Sequence, residues 1–435
     1  MHEPQFVIFL LSLGILFGCA RLIGGLMTRF GSPAVVGEIL VGLLVGKTVL
    51  GRLWPDAFRW LFDGERAQVM LQGYRTIAVV LLLAVAGLEI EGSALRRRGG
   101  AFKAIAFTCL FSAAVPFALG YGTGLILPAH YLVDPSRREL HAVFFGIALA
   151  ISALPVITRT LLDLGLLKTD IGTLVLSAAV VDDLVGWICF GALGREIRAG
   201  RGSGHGTILR SIAVTAGFMA AALIALRPLV DRWLRSIERS ATTSATARSL
   251  SMIVILAMLG AAATEALGIH AVYGGFVIGL AIGSSPRLLQ PTRQSLQDCV
   301  TSLFTPIFFA TMALRYDFIA AFDPVLVAIV LAIAIIAKAA GSALGARLGG
   351  LTGREAWTIG FGLTSRGAME ILLASIALDA RMINETMFVA LVIMAIVTSL
   401  IAGPAMAWLV RLSPSPTQAQ RANARAAETI TAHGA

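Results

Sequence analysis

Apolar runs of about 16 to 26 residues, parted by short polar stretches, recur along nearly the whole chain. A helix needs about 20 such residues to cross a bilayer. The runs are continuous rather than alternating, which fits helices and not the dyad pattern of a transmembrane barrel. Thirteen spans are expected, at about 5–28, 33–51, 74–91, 102–127, 140–162, 170–193, 208–230, 249–267, 270–285, 300–315, 325–347, 355–378 and 386–410. The expected fold class is an all-α polytopic membrane protein. Residues 1–411 would form a single transmembrane unit, and 412–435, polar and rich in Ala, Thr and Gln, a disordered tail.

Composition sharpens this picture. Of 435 residues, 57% are hydrophobic and 14% charged, with a mean hydropathy of +0.84; soluble domains carry roughly 25% charged residues. A soluble enzyme, a disordered protein and a fibre are excluded. The net charge of +10, from 35 Lys and Arg against 25 Asp and Glu, comes from short basic clusters between apolar runs. Such clusters set topology and do not indicate a nucleic-acid partner. The two densest, Arg96-Arg97-Arg98 with Lys103 and the 227–248 loop, fall on the same side if the N-terminus is outside and the C-terminus cytoplasmic. Cys19, Cys109, Cys189 and Cys299 stand singly and read as small core residues, not as a disulfide or metal framework. The first run is too long for a signal-peptide core and counts as a span. No GxGxxG unit appears, so regulation by a fused nucleotide-binding domain is not expected.

Three charges sit where charge is expensive. Asp182 and Asp183 occupy the centre of the sixth span, within Ala179-Val180-Val181-Asp182-Asp183-Leu184-Val185. Each charged residue at a helix centre costs about 2.5 to 3.5 kcal/mol on insertion scales. Lys338 is equally deep in the eleventh span. The nine residues to Arg347 amount to roughly 13 Å of helix, more than a lysine stem readily snorkels. The simplest solution pairs Lys338 with one aspartate. Adjacent helix positions point about 100° apart, so the other carboxylate faces elsewhere, into a hydrated cavity. Burial and a nearby lysine act in opposite senses on such a group, which can then hold either a proton or a small hard cation. Competition between the two for one carboxylate couples opposing fluxes, which is antiport.

Two spans are interrupted. Pro155, in Ser152-Ala153-Leu154-Pro155-Val156, removes a backbone donor at mid-membrane and should unwind the fifth span near Ser152. The twelfth reads Gly360-Phe361-Gly362-Leu363-Thr364-Ser365-Arg366-Gly367, with glycines and hydroxyls around an arginine. The first flanks the aspartate span and the second the lysine span, and the two triplets are offset by seven spans, an odd number, giving them opposite orientation. Interrupted segments at matching places in two inverted halves point to a transporter's mid-membrane site. Arg366 and Glu370, spaced i, i+4, are expected to pair with each other as a supporting ion pair.

The chain resembles the monovalent cation:proton antiporter-2 family of the cation:proton antiporter superfamily over roughly residues 33–410. The resemblance rests on Ser152-Ala153-Leu154-Pro155-Val156, Leu164-Gly165-Leu166-Leu167 with Ala179 to Asp183, Thr264-Glu265-Ala266-Leu267-Gly268-Ile269-His270, and Ser365-Arg366-Gly367-Ala368-Met369-Glu370-Ile371-Leu372. Gly37-Glu38-Ile39-Leu40 and Ala86-Gly87-Leu88-Glu89 are weaker echoes. The resemblance implies a sodium/proton antiporter-like fold of thirteen helices, with inverted repeats, two discontinuous crossing helices and a homodimeric assembly. It implies a core domain from about 102–193 and 325–410, a dimerisation domain from about 5–91 and 249–315, and a linker helix at about 208–230. On this sequence Asp183 matches the cation and proton carrier, Asp182 its neighbour, and Lys338 the charge partner; Ser152, Pro155, Thr364 and Ser365 form the crossover region. Asp183 and Asp182 would then ligate Na+ or K+ as cargo. Adjacent aspartates often accompany electrogenic sodium:proton exchange in this family. The expected partners are Na+ or K+, H+ and membrane lipid, in a bacterial plasma membrane, with no cofactor and no enzymatic activity. Gly46-Lys47, where the family commonly has glycine-proline, and Ala310-Thr311-Met312-Ala313-Leu314-Arg315, which lacks a frequent glycine, depart from the pattern.

Other classes fit less well. A membrane aspartyl protease brings two aspartates together from different segments, and neighbours on one helix cannot meet that way. A prenyltransferase needs acidic spacings such as DxxxD to hold magnesium, and Asp182-Asp183 is followed by Leu-Val-Gly-Trp. A cation channel is the stronger rival; it would pass cations without opposing proton movement.

Overall fold

A computed structural model describes residues 4–29, 34–89, 102–167, 169–199, 205–239, 245–267, 270–285, 288 and 290–411. The Arg96–Arg98 cluster and the 412–435 tail lie outside these residues, as does Lys168. Every regular element among the described residues is helical. They open with α1 (Pro4–Arg29), α2 (Ala34–Val45), the short α3 (Leu50–Leu53) and α4 (Pro55–Phe62), and α5 (Glu65–Glu89). Next come α6 (Phe102–Ile126), α7 (Arg138–Ala150), α8 (Leu154–Asp163), α9 (Asp170–Ala199) and the long α10 (His205–Arg239). Then follow α11 (Ala245–Ala266), α12 (Ala271–Gly283), α13 (Gln290–Cys299) and α14 (Thr305–Leu314). The chain closes with α15 (Pro324–Leu348), α16 (Gly353–Leu363), α17 (Ala368–Asp379) and α18 (Glu385–Arg411).

Eight described helices are long and apolar enough to cross a bilayer, and α12 is a shorter apolar helix. Counting α7 with α8, α16 with α17, and α13 with α14 as single passages, the architecture accommodates thirteen crossings. Several bounds differ from the hydropathy reading. The tenth passage begins at Gln290, ten residues before the apolar run, because the polar α13 buries only Thr292 and Leu296 and continues through a π-helical turn at Val300–Phe304 into α14. A hydropathy window sees neither feature. The third and seventh spans extend as amphipathic helix beyond their apolar centres, to Glu65 and Arg239. Between the second and third, α4 turns Phe58 and Phe62 inward and leaves Trp54 and Trp60 exposed beside and along it, a distribution suited to a headgroup-level surface.

The helices fall into two packed groups. One comprises α1, α2, α5 and α11–α14, in which α5 packs on α12 and α14 on α2. The other comprises α6–α9 and α15–α18, in which α6 packs on both α15 and α7. Helix α10 touches α9 in one group and α11 and α12 in the other. The first group is stitched by small residues: a Cβ built on Gly279 would lie 2.0 Å from the Ala84 carbonyl oxygen, so only glycine permits this approach of α12 to α5. The four cysteines are all free and half-buried, not deep in the core as their sequence setting suggested.

Candidate functional site

The second group carries the site, and its local folding follows from proline and helix-end chemistry. Helix α7 stops at Ala150, residues 151–153 are extended, and α8 starts at Leu154 with Pro155 in its first turn, where a missing N–H is harmless. Helix α16 likewise stops at Leu363, and α17 restarts at Ala368 after Gly367. The two gaps meet: the Ala153 N–H donates to the Ser365 carbonyl at 3.0 Å. Both expected interruptions are therefore present and in contact.

Breaking a helix leaves carbonyls without partners at its end, where the dipole is also negative. The last carbonyls of α7 are taken by two buried cations. Arg366 donates through Nη1 to Ala148 at 2.5 Å and through Nη2 to Leu149. Lys338 donates through Nζ to Ala150. Arg366 also meets Glu370 Oε2 at 3.1 Å, the expected i, i+4 pair. Its further duty at the end of α7 was not legible in the sequence. The Ser399 hydroxyl donates to the Arg366 carbonyl, tying α18 to the same gap.

Lys338 reaches Asp182 as the sequence suggested, Nζ to Oδ2 at 2.7 Å, with both side chains fully excluded from solvent. The third Nζ proton goes to the Ser112 carbonyl at 3.0 Å, so all three donors are used. Asp182 is equally saturated. The Ser112 hydroxyl lies 2.8 Å from Oδ1 and 3.0 Å from Oδ2, and the Ser152 hydroxyl 3.2 Å from Oδ2. Ser152 Oγ also lies 3.1 Å from the Leu363 carbonyl, linking the two gaps. Ser112, on α6, was missed from sequence. Helical serines commonly bond their own preceding turn, and the Cys109 carbonyl, 3.2 Å from the Ser112 hydroxyl, competes with the nearer Asp182 carboxylate for its one proton, so nothing in its surroundings flags it.

Asp183 differs from its neighbour. It is 6% exposed, and its Oδ1 is buried without a protein hydrogen-bond partner. The Leu154 N–H at the head of α8 faces its carboxyl, and Lys338 lies within electrostatic range. The approach of α9 to the extended segment depends on Gly186, where a Cβ would fall 2.3 Å from Ile151 Cγ1. Thr364 and Ser365 lie in the second gap but do not bond the aspartates: the Thr364 hydroxyl returns to Phe361 at 2.7 Å, and Ser365 Oγ has no protein partner. Pro155 contributes its backbone position at the start of α8.

Inside the crossing of two broken helices, Asp183 offers an under-coordinated carboxylate oxygen next to a carboxylate already neutralised by a lysine; Glu370 Oε1, whose other oxygen meets Arg366, is likewise buried without a protein partner. An oxygen donor of this kind suits a proton or a hard monovalent cation, not a transition metal. Among the described residues no group of three or more His, Cys, Asp or Glu side chains could hold a metal ion.

Comparisons with known proteins bear on the family and the fold. The chain is 31% identical over 423 residues to the Na(+)/H(+) antiporter NhaS4 of Synechocystis, covering 96% of this chain and 100% of that protein. It is 27% identical over 399 residues to the Na(+)/H(+)-K(+) antiporter GerN of Bacillus cereus, covering 91% and 95%. Similarity to Cation/H(+) antiporter 19 of Arabidopsis thaliana is 30% over 391 residues, 88% of this chain but 47% of that protein, so the chain spans about half the length of such plant relatives. The structure of the sodium proton antiporter MjNhaP1 from Methanocaldococcus jannaschii superposes with a TM-score of 0.63 at 13% identity, covering 93% and 97% of the two chains, a likeness of fold. The family model described as the transmembrane sodium/hydrogen exchanger matches residues 15–412, and the chain belongs to that family.

Proposed function

We propose that the protein is a secondary active antiporter that exchanges a monovalent cation for protons by alternating access, with both competing for Asp183. One observation carries the residue assignment: of two adjacent buried aspartates, Asp182 is saturated by Lys338, Ser112 and Ser152, whereas Asp183 retains a buried oxygen with no protein donor. Na+ is the first candidate cargo, with K+ or Li+ as alternatives, since NhaS4 and GerN are named for Na+ and K+ exchange. Asp182 contributes by keeping Lys338 in place and by holding a second negative charge at the site. In this reading the group α6–α9 with α15–α18 is the moving core, α1–α5 with α11–α14 the dimerisation scaffold, and α10 the linker. The working unit is a homodimer in a bacterial plasma membrane, with its N-terminus outside and its C-terminus cytoplasmic.

The test is exchange in proteoliposomes at controlled membrane potential, with Na+, K+ and Li+ presented in turn and internal pH recorded. The expected result is cation-driven proton movement in the opposite sense, preserved when the potential is clamped. Cation flux without proton counterflow would overturn the reading in favour of a channel.

A further inference from the structure

Aromatic contacts cross the boundary between the two helix groups. Trp187 of α9 lies 5.8 Å from Phe276 of α12, ring centroid to ring centroid. Phe388 of α18 meets Tyr316 and Phe318, in the segment after α14, at 5.1 and 6.0 Å. Such contacts are nondirectional and tolerate sliding. The ion pairs described so far stay within one group: Lys338–Asp182 and Arg366–Glu370 in the second, as does Arg52–Asp317 in the first at 2.8 Å. Arg75 is different. It lies on α5, and its Nη2 bonds the carboxylate of Asp379, the last residue of α17, 304 positions away.

This pair is placed to act on the site. Helix α17 begins at Gly367 and Ala368, beside Arg366 and the meeting of the two gaps. Its twelve residues make a rod of about 18 Å, so a hold on Asp379 is a hold on the crossover. Arg75 is 8% exposed, and its Nη1 is buried without a protein partner. Arg315 lies within electrostatic range of both Arg75 and Asp379. A cavity of about 240 Å³ adjoins the pair, lined among others by Lys47, Gln72, Arg75, Arg315, Tyr316 and Glu385. It has room for several waters and supplies polar partners for them, and Asp379 is itself exposed, so the pair can open with Arg75 left facing a wet space and without the cost of stranding a dry charge. Glu385, at the head of α18, offers Arg75 or Arg315 a second carboxylate on the same helix group as Asp379.

We propose that Arg75 and Asp379 are positioning residues: their ion pair holds the two helix groups in the arrangement described and opens once in each exchange cycle. The proposal rests on the alternating-access reading for its role in transport, and its structural part can be measured without transport. Spin labels on Gln72→Cys and Thr386→Cys, in a full chain whose four cysteines are replaced by serine, report the separation across the boundary by electron double resonance. The parent should show one dominant distance. Asp379→Asn should move at least about half the population to a second distance, because it leaves Arg75 and Arg315 facing each other with one counter-charge fewer. The swap Arg75→Asp with Asp379→Arg should restore the dominant distance. In proteoliposomes, Asp379→Asn should change the ratio of the cation KM values on the two membrane faces by about threefold or more.

An unchanged distance distribution in both Asp379→Asn and Arg75→Gln would overturn the proposal. If Asp379→Asn does not fold, Arg75→Lys, which keeps the charge but shortens the reach, carries the same measurement. A shifted distance in a protein that fails to exchange would support the catch and count against the antiport reading alone.

Discussion

The crossover and the α5–α12 contact are both tightly packed, yet they are held by opposite chemistry. At the crossover, unwound backbone leaves carbonyls and carboxylates that Lys338, Arg366, Ser112 and Ser152 must satisfy. Along α5 and α12, Gly275, Gly279 and Gly283 each lie so close to backbone of α5 that a Cβ would come within 2.0 to 2.5 Å of a carbonyl oxygen. The first region depends on polar partners for its exposed backbone ends and for Asp182; the second depends on the absence of side chains. A helix pair locked by backbone contact makes a good fixed frame, and a polar crossing that leaves a carboxylate oxygen of Asp183 unfilled makes a good exchange site.

Substitutions can break this contrast in graded steps. Asp183→Asn should abolish exchange, a loss of more than about a hundredfold, while leaving the melting temperature near that of the parent, because its Oδ1 has no protein hydrogen bond to lose. Proteoliposome flux and a melting curve on the same preparation check both halves, and retained flux would end the assignment of Asp183 as carrier. Lys338→Ala removes one partner of a buried pair and should cost about 3 to 5 kcal/mol, read as a large fall in melting temperature with an altered pH profile of exchange. An unchanged melting curve and profile would show that the pair carries neither stability nor tuning.

Gly279→Ala probes the other region. The added methyl meets the Ala84 carbonyl, so α12 must back away, at a cost of about 1 to 3 kcal/mol. Its expected signature is lower stability with an unshifted pH profile, the reverse of a crossover lesion. A shifted pH profile with unchanged stability would erase the distinction drawn here. Ser112→Ala should be milder, about 1 to 3 kcal/mol for the acceptor left behind and partly offset by the remaining bonds to Asp182. It should raise the cation KM while leaving maximal turnover within about twofold, and an unaltered KM would remove Ser112 from the site.

The smallest effect concerns a residue outside the membrane-spanning segments. Asp323 caps α15, accepting from Leu326 and Val325 N–H at 2.9 Å each and from the Tyr131 hydroxyl at 2.8 Å. The Leu326 N–H, then the Tyr131 hydroxyl, hold its carboxyl below the ordinary value of 3.8. A depressed native value means that the stabilisation is present above pH 3.8 and lost as the pH falls through the native value. Asp323→Ala should therefore lower the melting temperature slightly at neutral pH, and the difference from the parent should shrink below pH 3.8. A constant difference across that range would show that the cap does not act through its charge.

Much of this site was legible because the membrane makes certain residues costly. Asp182, Asp183 and Lys338 stood out at the centres of apolar runs, and their expense alone predicts that the lysine pairs with one aspartate. Pro155 announced the first gap, since its ring cannot continue the helix at mid-span. The glycines and hydroxyls of 360–367 announced the second. What stayed hidden carries no such cost signal. Ser112 looks like any helical hydroxyl, and the carbonyls of Ala148, Leu149 and Ala150 are present in every sequence. The stop near Ser152 was foreseen, but only the fold shows that two cations fill the end of α7. The π-helical turn at Val300–Phe304 and the polar start of the tenth passage were equally invisible to a hydropathy pattern. Arg75 and Asp379, 304 residues apart, each look like a residue at the edge of an apolar run.

The hydrogen bond from Ala153 to Ser365 joins the two unwound stretches to each other and not to the surrounding frame. In the proposed alternating-access cycle, a cation held at Asp183 would therefore be carried inside a self-contained packet whose walls travel with it. Mechanical load during such a stroke would fall on the outer seams and the lipid, leaving the ligand geometry around the cargo undistorted at the far side.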